Sequence, residues 1–221
     1  MRVLVKLGGR IARDAVDLVR ARRAAGDEVV VVHGAGPQIS AALRAHGIAV
    51  RFVDGRRVTD AATLRVVRAA SVAVGAELCA ALGPEALHLV GDEIGLEAVR
   101  LPELGFVGTP LACGPAALED ALAALRIPVV TPVAVGPLNV NADEAAAALA
   151  AGIGAQRVLF VTDVPGVYLD GSVLPRLRAD RAAELLDAGA FEGGIVPKLL
   201  AAVEAARLGL RVEIGETTVV A

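Results

Sequence analysis

The sequence predicts an α/β protein, a mainly parallel central sheet with helices on both faces (an α/β/α sandwich). Three observations predict it. Short valine- and leucine-rich runs alternate with segments of helical spacing along the 221 residues. The runs are mostly β-branched and apolar rather than alternating, the pattern of strands buried on both faces. Glycine clusters follow several runs, at the strand ends where such sheets bind ligands. With 55% apolar residues, the chain is long enough to bury one sizeable core or two lobes sharing one sheet.

A strand over 2–7 leads into Gly8-Gly9. Helical spacing runs over 11–25 through Ile11, Ala15, Leu18, Val19 and Arg22, and Gly26 ends it. A four-valine strand over 28–33 leads to Gly34-Ala35-Gly36. A helix over 37–46 has Pro37 at its first position and Gly47 past its end. A long helix over 60–82 has Asp60 as its candidate N-cap. A strand over 86–90 precedes an irregular stretch, 94–107, with strand-like pieces near 96–101. The second half repeats the rhythm: helix 116–125, strand 127–131, helix 142–153, strand 157–162 and helices 179–188 and 195–208. Strands over 211–215 and 218–220 close the sheet.

Composition excludes several classes of function. With 25 acids against 22 bases there is no basic footprint for nucleic acid. Four Phe, one Tyr and no Trp leave little for base-stacking platforms. Mean hydropathy is high, +0.61, but the best uncharged stretches, 104–118 and 127–142, are broken by Pro and Gly. A bilayer span needs ~20 apolar residues in a row, so no membrane is expected. No signal peptide is read ahead of the first strand, and Cys79 and Cys113 lie far apart, as in buried reduced thiols. A cytoplasmic location is expected. His33, His46 and His88 have no metal-ligand spacing, and no side-chain metal site is expected.

The bases are unevenly divided: of 22, only Lys6 and Lys198 are lysine. A GC-rich genome would account for the abundance of arginine, but not for the two exceptions. A surface cation can be Arg or Lys at almost no cost. A retained lysine points to a place that needs a compact ammonium and rejects a planar fork.

Six motifs can carry chemistry. Lys6-Leu7-Gly8-Gly9 is a strand-to-helix turn suited to a phosphate, or an ordinary turn with a solvated lysine. His33-Gly34-Ala35-Gly36-Pro37-Gln38 resembles part of a dinucleotide fingerprint, with Asp54 at a ribose-binding distance. Ile39 breaks that fingerprint, and an anion-binding turn fits better. His33 itself reads as structural. Gly55-Arg56-Arg57-Val58-Thr59-Asp60 is a carboxylate clamp or a solvated basic loop. Asn139-Val140-Asn141-Ala142-Asp143-Glu144 points both asparagines one way, or caps a helix through Asn141. Val161-Thr162-Asp163-Val164-Pro165-Gly166 is a polar turn after a strand. Gly193-Gly194-Ile195-Val196-Pro197-Lys198 sets the second lysine one turn into a glycine-led helix. No GxxxxGK[ST], GxSxG or HExxH occurs.

Together these segments resemble the amino acid kinase family, most closely its N-acetylglutamate kinase branch. The matches are VKLGG (5–9), VVHGAGPQI (31–39), GRRVTDAATL (55–64), LGFVG (104–108), IPVVTPVAV (127–135), NVNADEAAAALA (139–150), VTDVPGV (161–167) and GGIVPK (193–198), in family order over almost the whole chain. The resemblance implies ATP-dependent phosphorylation of the side-chain carboxylate of N-acetyl-L-glutamate, a small-molecule carboxylic acid, in arginine biosynthesis. It implies that Lys6 and Lys198 straddle the transferring phosphoryl group and that Asp143 orients them. Gly34 and Ala35 would donate N–H groups near the acceptor, and Arg57 and Asn139 would hold its α-carboxylate. Gly8, Gly9, Thr162, Asp163, Gly193 and Gly194 would bind ATP. Mg²⁺ would accompany it, on Asp143 or Asp163 or on phosphates and water alone. Residues 1–154 would form an N-terminal lobe for the acyl-amino acid and dimerisation, and 155–221 a C-terminal ATP lobe. Three departures mark this chain. Ala35 replaces a usual glycine, 89–99 is a shortened GD-containing segment, and Ile214-Gly215-Glu216-Thr217 joins two strands almost directly. No helical extension of the kind that builds arginine-sensitive hexamers precedes the first strand, so a homodimer is expected. Alternatives are the same chemistry on carrier-linked aminoadipate or glutamate, and a non-catalytic nucleotide-binding homologue.

Overall fold

The computed structural model describes residues 1–9, 13–53 and 55–221. The chain opens with β1 (Arg2–Leu7), α1 (Arg13–Ala24), β2 (Glu28–His33) and α2 (Gly36–Ala45). A hairpin of β3 (Phe52–Val53) and β4 (Arg56–Arg57) leads to α3 (Ala61–Leu82). Next come β5 (Ala86–Val90), the one-turn α4 (Gly91–Ile94), β6 (Ala98–Arg100), a 3₁₀ turn (Pro102–Leu104) and β7 (Val107–Pro110). Then follow α5 (Ala116–Ala123), β8 (Ile127–Thr131), β9 (Val133–Ala134), β10 (Leu138–Val140) and α6 (Ala142–Gly152). The last part holds β11 (Arg157–Phe160), the hairpin β12 (Tyr168–Leu169) and β13 (Ser172–Val173), then β14 (Arg176–Arg178) and α7 (Ala179–Asp187). It ends with α8 (Ile195–Arg207), β15 (Arg211–Ile214) and β16 (Thr217–Val220).

Eight strands form the main sheet in the order β14-β16-β15-β11-β1-β2-β8-β5. Every pairing is parallel except β15 with β16. β1 has β2 on one side and β11 on the other, so the order reverses there. That reversal opens a crevice beyond the carboxyl end of β1, where ligands of such sheets bind. Alternation along β1 divides the core. Val3, Val5 and Leu7 pack with Val16 and Val19 of α1 and Leu78 and Leu82 of α3. Leu4 faces the other way, into the cluster of α5, α6, α7 and α8. Lys6 shares the parity of Leu4, so its side chain is directed to the α6–α8 face.

Local signals set the helix ends. Asp60 caps α3, its carboxylate accepting from Thr63 N–H at 2.7 Å. Gly26 and Gly47 take φ of +85° and +68° just past α1 and α2, where glycine is favoured. Pro197 stands third in α8, within the turn whose N–H groups have no helical acceptor anyway. The stretch 94–107, read as irregular, is more ordered than that. β6 and β7 join β10 and β9 in a second, four-stranded sheet of order β6-β7-β10-β9. Its strands are two to four residues long, too short to show a period. Arg10, Ile11, Ala12 and Asp54 lie outside the described residues, and with them the expected start of the first helix and the ribose ligand of the dinucleotide reading. No helix of the described residues is long and apolar enough to cross a membrane.

Candidate active site

Three charged side chains meet at the crevice. Lys6 comes from the end of β1, Asp143 from the first turn of α6 and Lys198 from the second turn of α8. Lys6 Nζ lies 2.8 Å from Asp143 Oδ1, and Lys198 Nζ lies 3.8 Å from Asp143 Oδ2. Lys6 and Asp143 are buried, and Lys198 is mostly so. The helix N-terminus adds favourable potential to the carboxylate. Burial pushes the Lys6 ammonium below the usual lysine range; Asp143 opposes that shift and Lys198 adds to it. The pair of ammonium groups is therefore held together by one carboxylate between them. Lys198 also donates to the Gly194 carbonyl at 3.5 Å.

Two cavities meet at this cluster, and Lys198 lines both. The first, about 450 Å³, is walled by Thr162, Asp163, Gly166, Tyr168, Phe191 and Gly194. The second, about 300 Å³, has a charged end at Lys6, Gly8, Gly9 and Asp143 and a wall that includes Gly34, Ala35, Arg57 and Asn139. Ile39, Val107 and Val140 are apolar residues of its lining. Gly8 and Gly9, expected on ATP, thus sit on the second cavity, at the end that adjoins the lysines. Gly193 is not among the residues lining either cavity; its φ of +68° lets the chain turn into α8.

The second cavity is built to take an anion. Arg57 is buried, with Nη2 donating to Ser40 Oγ at 2.9 Å and its guanidinium 4.6 Å from the Phe52 ring centroid. Its Nη1 is buried with no partner among the described residues. A buried donor left unpaired is costly unless a ligand accepts from it. Burial and nearby Arg44 lower the Arg57 pKa. Asn139 Nδ2 donates to Thr59 Oγ1 at 3.1 Å, and Thr59 Oγ1 donates to the Arg57 carbonyl at 2.7 Å. Asn139 and Arg57 are therefore linked through one hydroxyl. Asn141 caps α6 instead, accepting from Asp143 N–H at 2.8 Å.

The two glycine turns differ from expectation in one respect. The Gly34 N–H does not face a ligand; it donates to Leu7 O at 2.9 Å. A Cβ at Gly34 would make only ordinary contacts, among them one of 3.9 Å with Lys6 Nζ, so Gly34 borders the lysine without being tightly enclosed. Ala35 takes φ −143°, not the positive φ that would favour glycine, so the loss of glycine costs no left-handed strain. Its N–H has no backbone acceptor among the described residues. Gln38 Nε2 donates to the Gly9 carbonyl and ties the two turns together.

A cation-lined anion cavity that meets a second cleft at paired lysines suits group transfer between two bound molecules. A model of the amino acid kinase family matches residues 1–216. The chain belongs to the amino acid kinase family. It is 40% identical to acetylglutamate kinase of Roseiflexus castenholzii over 95% of this chain and 86% of that one. It is 39% identical to acetylglutamate kinase of Ruegeria pomeroyi, over 95% and 79%. Among solved structures, smu.665 from Streptococcus mutans UA159 superposes with a TM-score of 0.90 at 26% identity, covering 99% of this chain and 98% of that one. N-acetylglutamate synthase from Neisseria gonorrhoeae, complexed with coenzyme A and N-acetyl-glutamate, gives 0.83 at 22% identity over 100% and 59%, a likeness of fold.

Several parts of this amino acid kinase's site were not legible in the sequence. Phe52 and Ser71 line the second cavity. Arg56 pairs with Glu144 at 2.8 Å and pins the β3–β4 hairpin to α6. Tyr168 and Phe191, two of only five aromatics, line the first cleft. Their rarity was the available signal, read only as an argument against nucleic acid.

Proposed function

We propose that this amino acid kinase transfers the γ-phosphoryl group of ATP to the side-chain carboxylate of N-acetyl-L-glutamate. A carboxylate oxygen forms the new P–O bond, the bond from γ-phosphorus to the β,γ-bridging oxygen breaks, and ADP leaves. The observation that carries this reading is the Lys6–Asp143–Lys198 cluster at the junction of two cavities. The 40% identity to an acetylglutamate kinase over 95% of the chain supports the choice of acid.

The chemistry needs no general base. A glutamate side chain has a pKa of about 4.3 and is ionised at pH 7. The difficulty is to bring one anion against another and to stabilise in-line transfer. Lys6 and Lys198 neutralise charge on the transferring group, and Asp143 holds both ammonium groups in place. Gly8, Gly9 and Ala35 offer backbone N–H groups at the phosphoryl end. Arg57 Nη1 and Asn139 take the α-carboxylate. Thr162, Asp163 and Gly194 contact the nucleotide, with Tyr168 and Phe191 beside its base.

Mg²⁺ is best supplied with the nucleotide, to neutralise its β- and γ-phosphates. Both oxygens of Asp143 face ammonium groups, which makes it a poor cation ligand. Among the described residues no three His, Cys, Asp or Glu side chains cluster as a metal site. The first cleft is lined by residues from the 155–221 part alone, and the second by the 1–154 part plus Lys198. This supports a nucleotide lobe and an acid lobe. The outer face of α3, with Ala69, Ala73 and Ala76 exposed, is the proposed homodimer contact. Sedimentation of Ala73→Glu tests it.

The decisive experiment is an ATP-dependent acyl phosphate assay with hydroxylamine trapping. The acids are N-acetylglutamate, glutamate, aspartate, aminoadipate and a carrier-linked acid. Turnover of N-acetylglutamate above the others supports the reading. Preference for the carrier-linked acid replaces the substrate, and ATP binding without any acyl phosphate replaces the activity.

A further inference from the structure

Beneath the Gly34–Ala35 turn lies a polar cluster that the transfer chemistry does not use. His33 ends β2, Thr131 ends β8 and His88 lies in β5, three adjacent strands. His33 and Thr131 have no solvent exposure. His33 Nε2 is 3.0 Å from Thr131 Oγ1, and His88 Nε2 is 2.8 Å from the same oxygen. His33 Nδ1 is 3.4 Å from the Gly34 carbonyl oxygen. Gly75 of α3 covers the cluster; a Cβ there would overlap His88 Nε2 and stand 2.8 Å from Thr131 Oγ1.

Counting hydrogens gives the cluster a direction. A carbonyl oxygen only accepts, so His33 Nδ1 must carry a proton. In a neutral ring Nε2 then has a lone pair and accepts from the Thr131 hydroxyl. That hydroxyl has one hydrogen, now spent, so His88 must donate Nε2–H to Oγ1. Burial favours the neutral form of both rings. The trans peptide adds the last step. No peptide bond among the described residues is cis, and in a trans peptide C=O and N–H point opposite ways. With the Gly34 C=O turned to His33, the Ala35 N–H is turned away from it, while Gly34 and Ala35 both line the acid cavity.

We propose that His88, Thr131 and His33 form a one-way hydrogen-bond chain that positions the Gly34–Ala35 peptide, so that Ala35 N–H is presented to the anionic group in the acid cavity. The Ala35 contact rests on the acid-site reading above; the direction of the chain does not. His33, Thr131 and His88 are positioning residues and touch no substrate.

The direction is read without substrate, by long-range ¹⁵N–¹H correlation of the imidazoles in the labelled full chain at neutral pH. Only three histidines are present, and His46→Gln removes the third signal. His33 as the Nδ1–H tautomer and His88 as the Nε2–H tautomer is the expected result. His33 as Nε2–H overturns the proposal. Kinetics then test positioning. Thr131→Val deletes the hydroxyl and should raise KM for the acid about tenfold, leaving KM for ATP within about twofold. Thr131→Ser should restore the acid KM. Equal impairment of the Val and Ser variants, or an equal rise in both KM values, would show a packing role and overturn it. A wild type inactive on N-acetylglutamate would instead count against the function, with the tautomers still deciding the chain's direction.

Discussion

The two lysines are the residues where shape and charge are hardest to separate. Lys6 is 5% exposed and sits 2.8 Å from a buried carboxylate. A guanidinium there is wider, planar and directs its donors differently. Lys6→Arg and Lys198→Arg are each expected to lower kcat about 100-fold, close to the alanine variants. Hydroxamate formation measures this, and an arginine variant with most of the wild-type turnover would refute it. Asp143 tests the charge side. It opposes the burial that pushes Lys6 down. In Asp143→Asn that support is gone, so Lys6 loses its proton at lower pH. The alkaline limb of the kcat/KM profile should move to lower pH, and breaking the buried pair should cost about 3–5 kcal/mol in urea unfolding. An unmoved alkaline limb would mean that Lys6 does not set it. The two lysines were legible because they carry charge at glycine-rich turns, and Asp143 because it opens a helix after Asn139 and Asn141. Arg57's Nη1, without a partner among the described residues, was not, because only the packing against Phe52 and Ser40 shows which nitrogen they leave unused.

The three-residue β14 gave no run to read, but the helices and the other strands of the main sheet were legible through helical spacing and longer apolar runs. The two-residue strands were not. They exist only through pairing across a short turn, as β9 does with β10, and two residues are too few to show a period. The shortened β15–β16 connection was legible as a departure, but its use was not. Gly215 takes φ +55°, and a Cβ there would collide with the Pro165 carbonyl. Glu216 N–H donates to that carbonyl at 2.6 Å, and Thr217 Oγ1 accepts from Val167 N–H at 2.8 Å. The tight hairpin thus buttresses 162–167, one wall of the first cleft, the proposed nucleotide site. Gly215→Val should cost about 1–3 kcal/mol of stability and weaken ATP binding about tenfold. Calorimetric titration with ATP, beside the acid KM, checks it: the acid KM should hold, and an unchanged ATP affinity would separate the hairpin from the cleft.

At the scale of the whole molecule, the site is a product of the sheet's reversal at β1. Residues 192 positions apart, Lys6 and Lys198, meet because β1 and α8 both reach that crevice. The family resemblance that the motifs carry implied the meeting, whereas the polar cluster under it has no linear signature. His33, Thr131 and His88 are scattered and become neighbours only when β2, β8 and β5 pair. That cluster also ties stability to pH. Burial pushes the His33 pKa from 6.5 to about 4, with His88 and Lys6 acting the same way and the Gly34 carbonyl opposing. Between those values the unfolded chain binds a proton that the native state refuses. Stability is therefore full above pH 6.5 and falls as pH drops toward 4. At pH 5.5 the loss from His33 is about 1.4 kcal/mol, one pH unit below the unfolded value. His88, whose pKa is also lowered, adds to it in the same direction. Urea unfolding at pH 7.5 and 5.5 should show the drop in wild type and a smaller one in His33→Gln, which cannot titrate. Equal drops in the two proteins would assign the acid sensitivity to other groups.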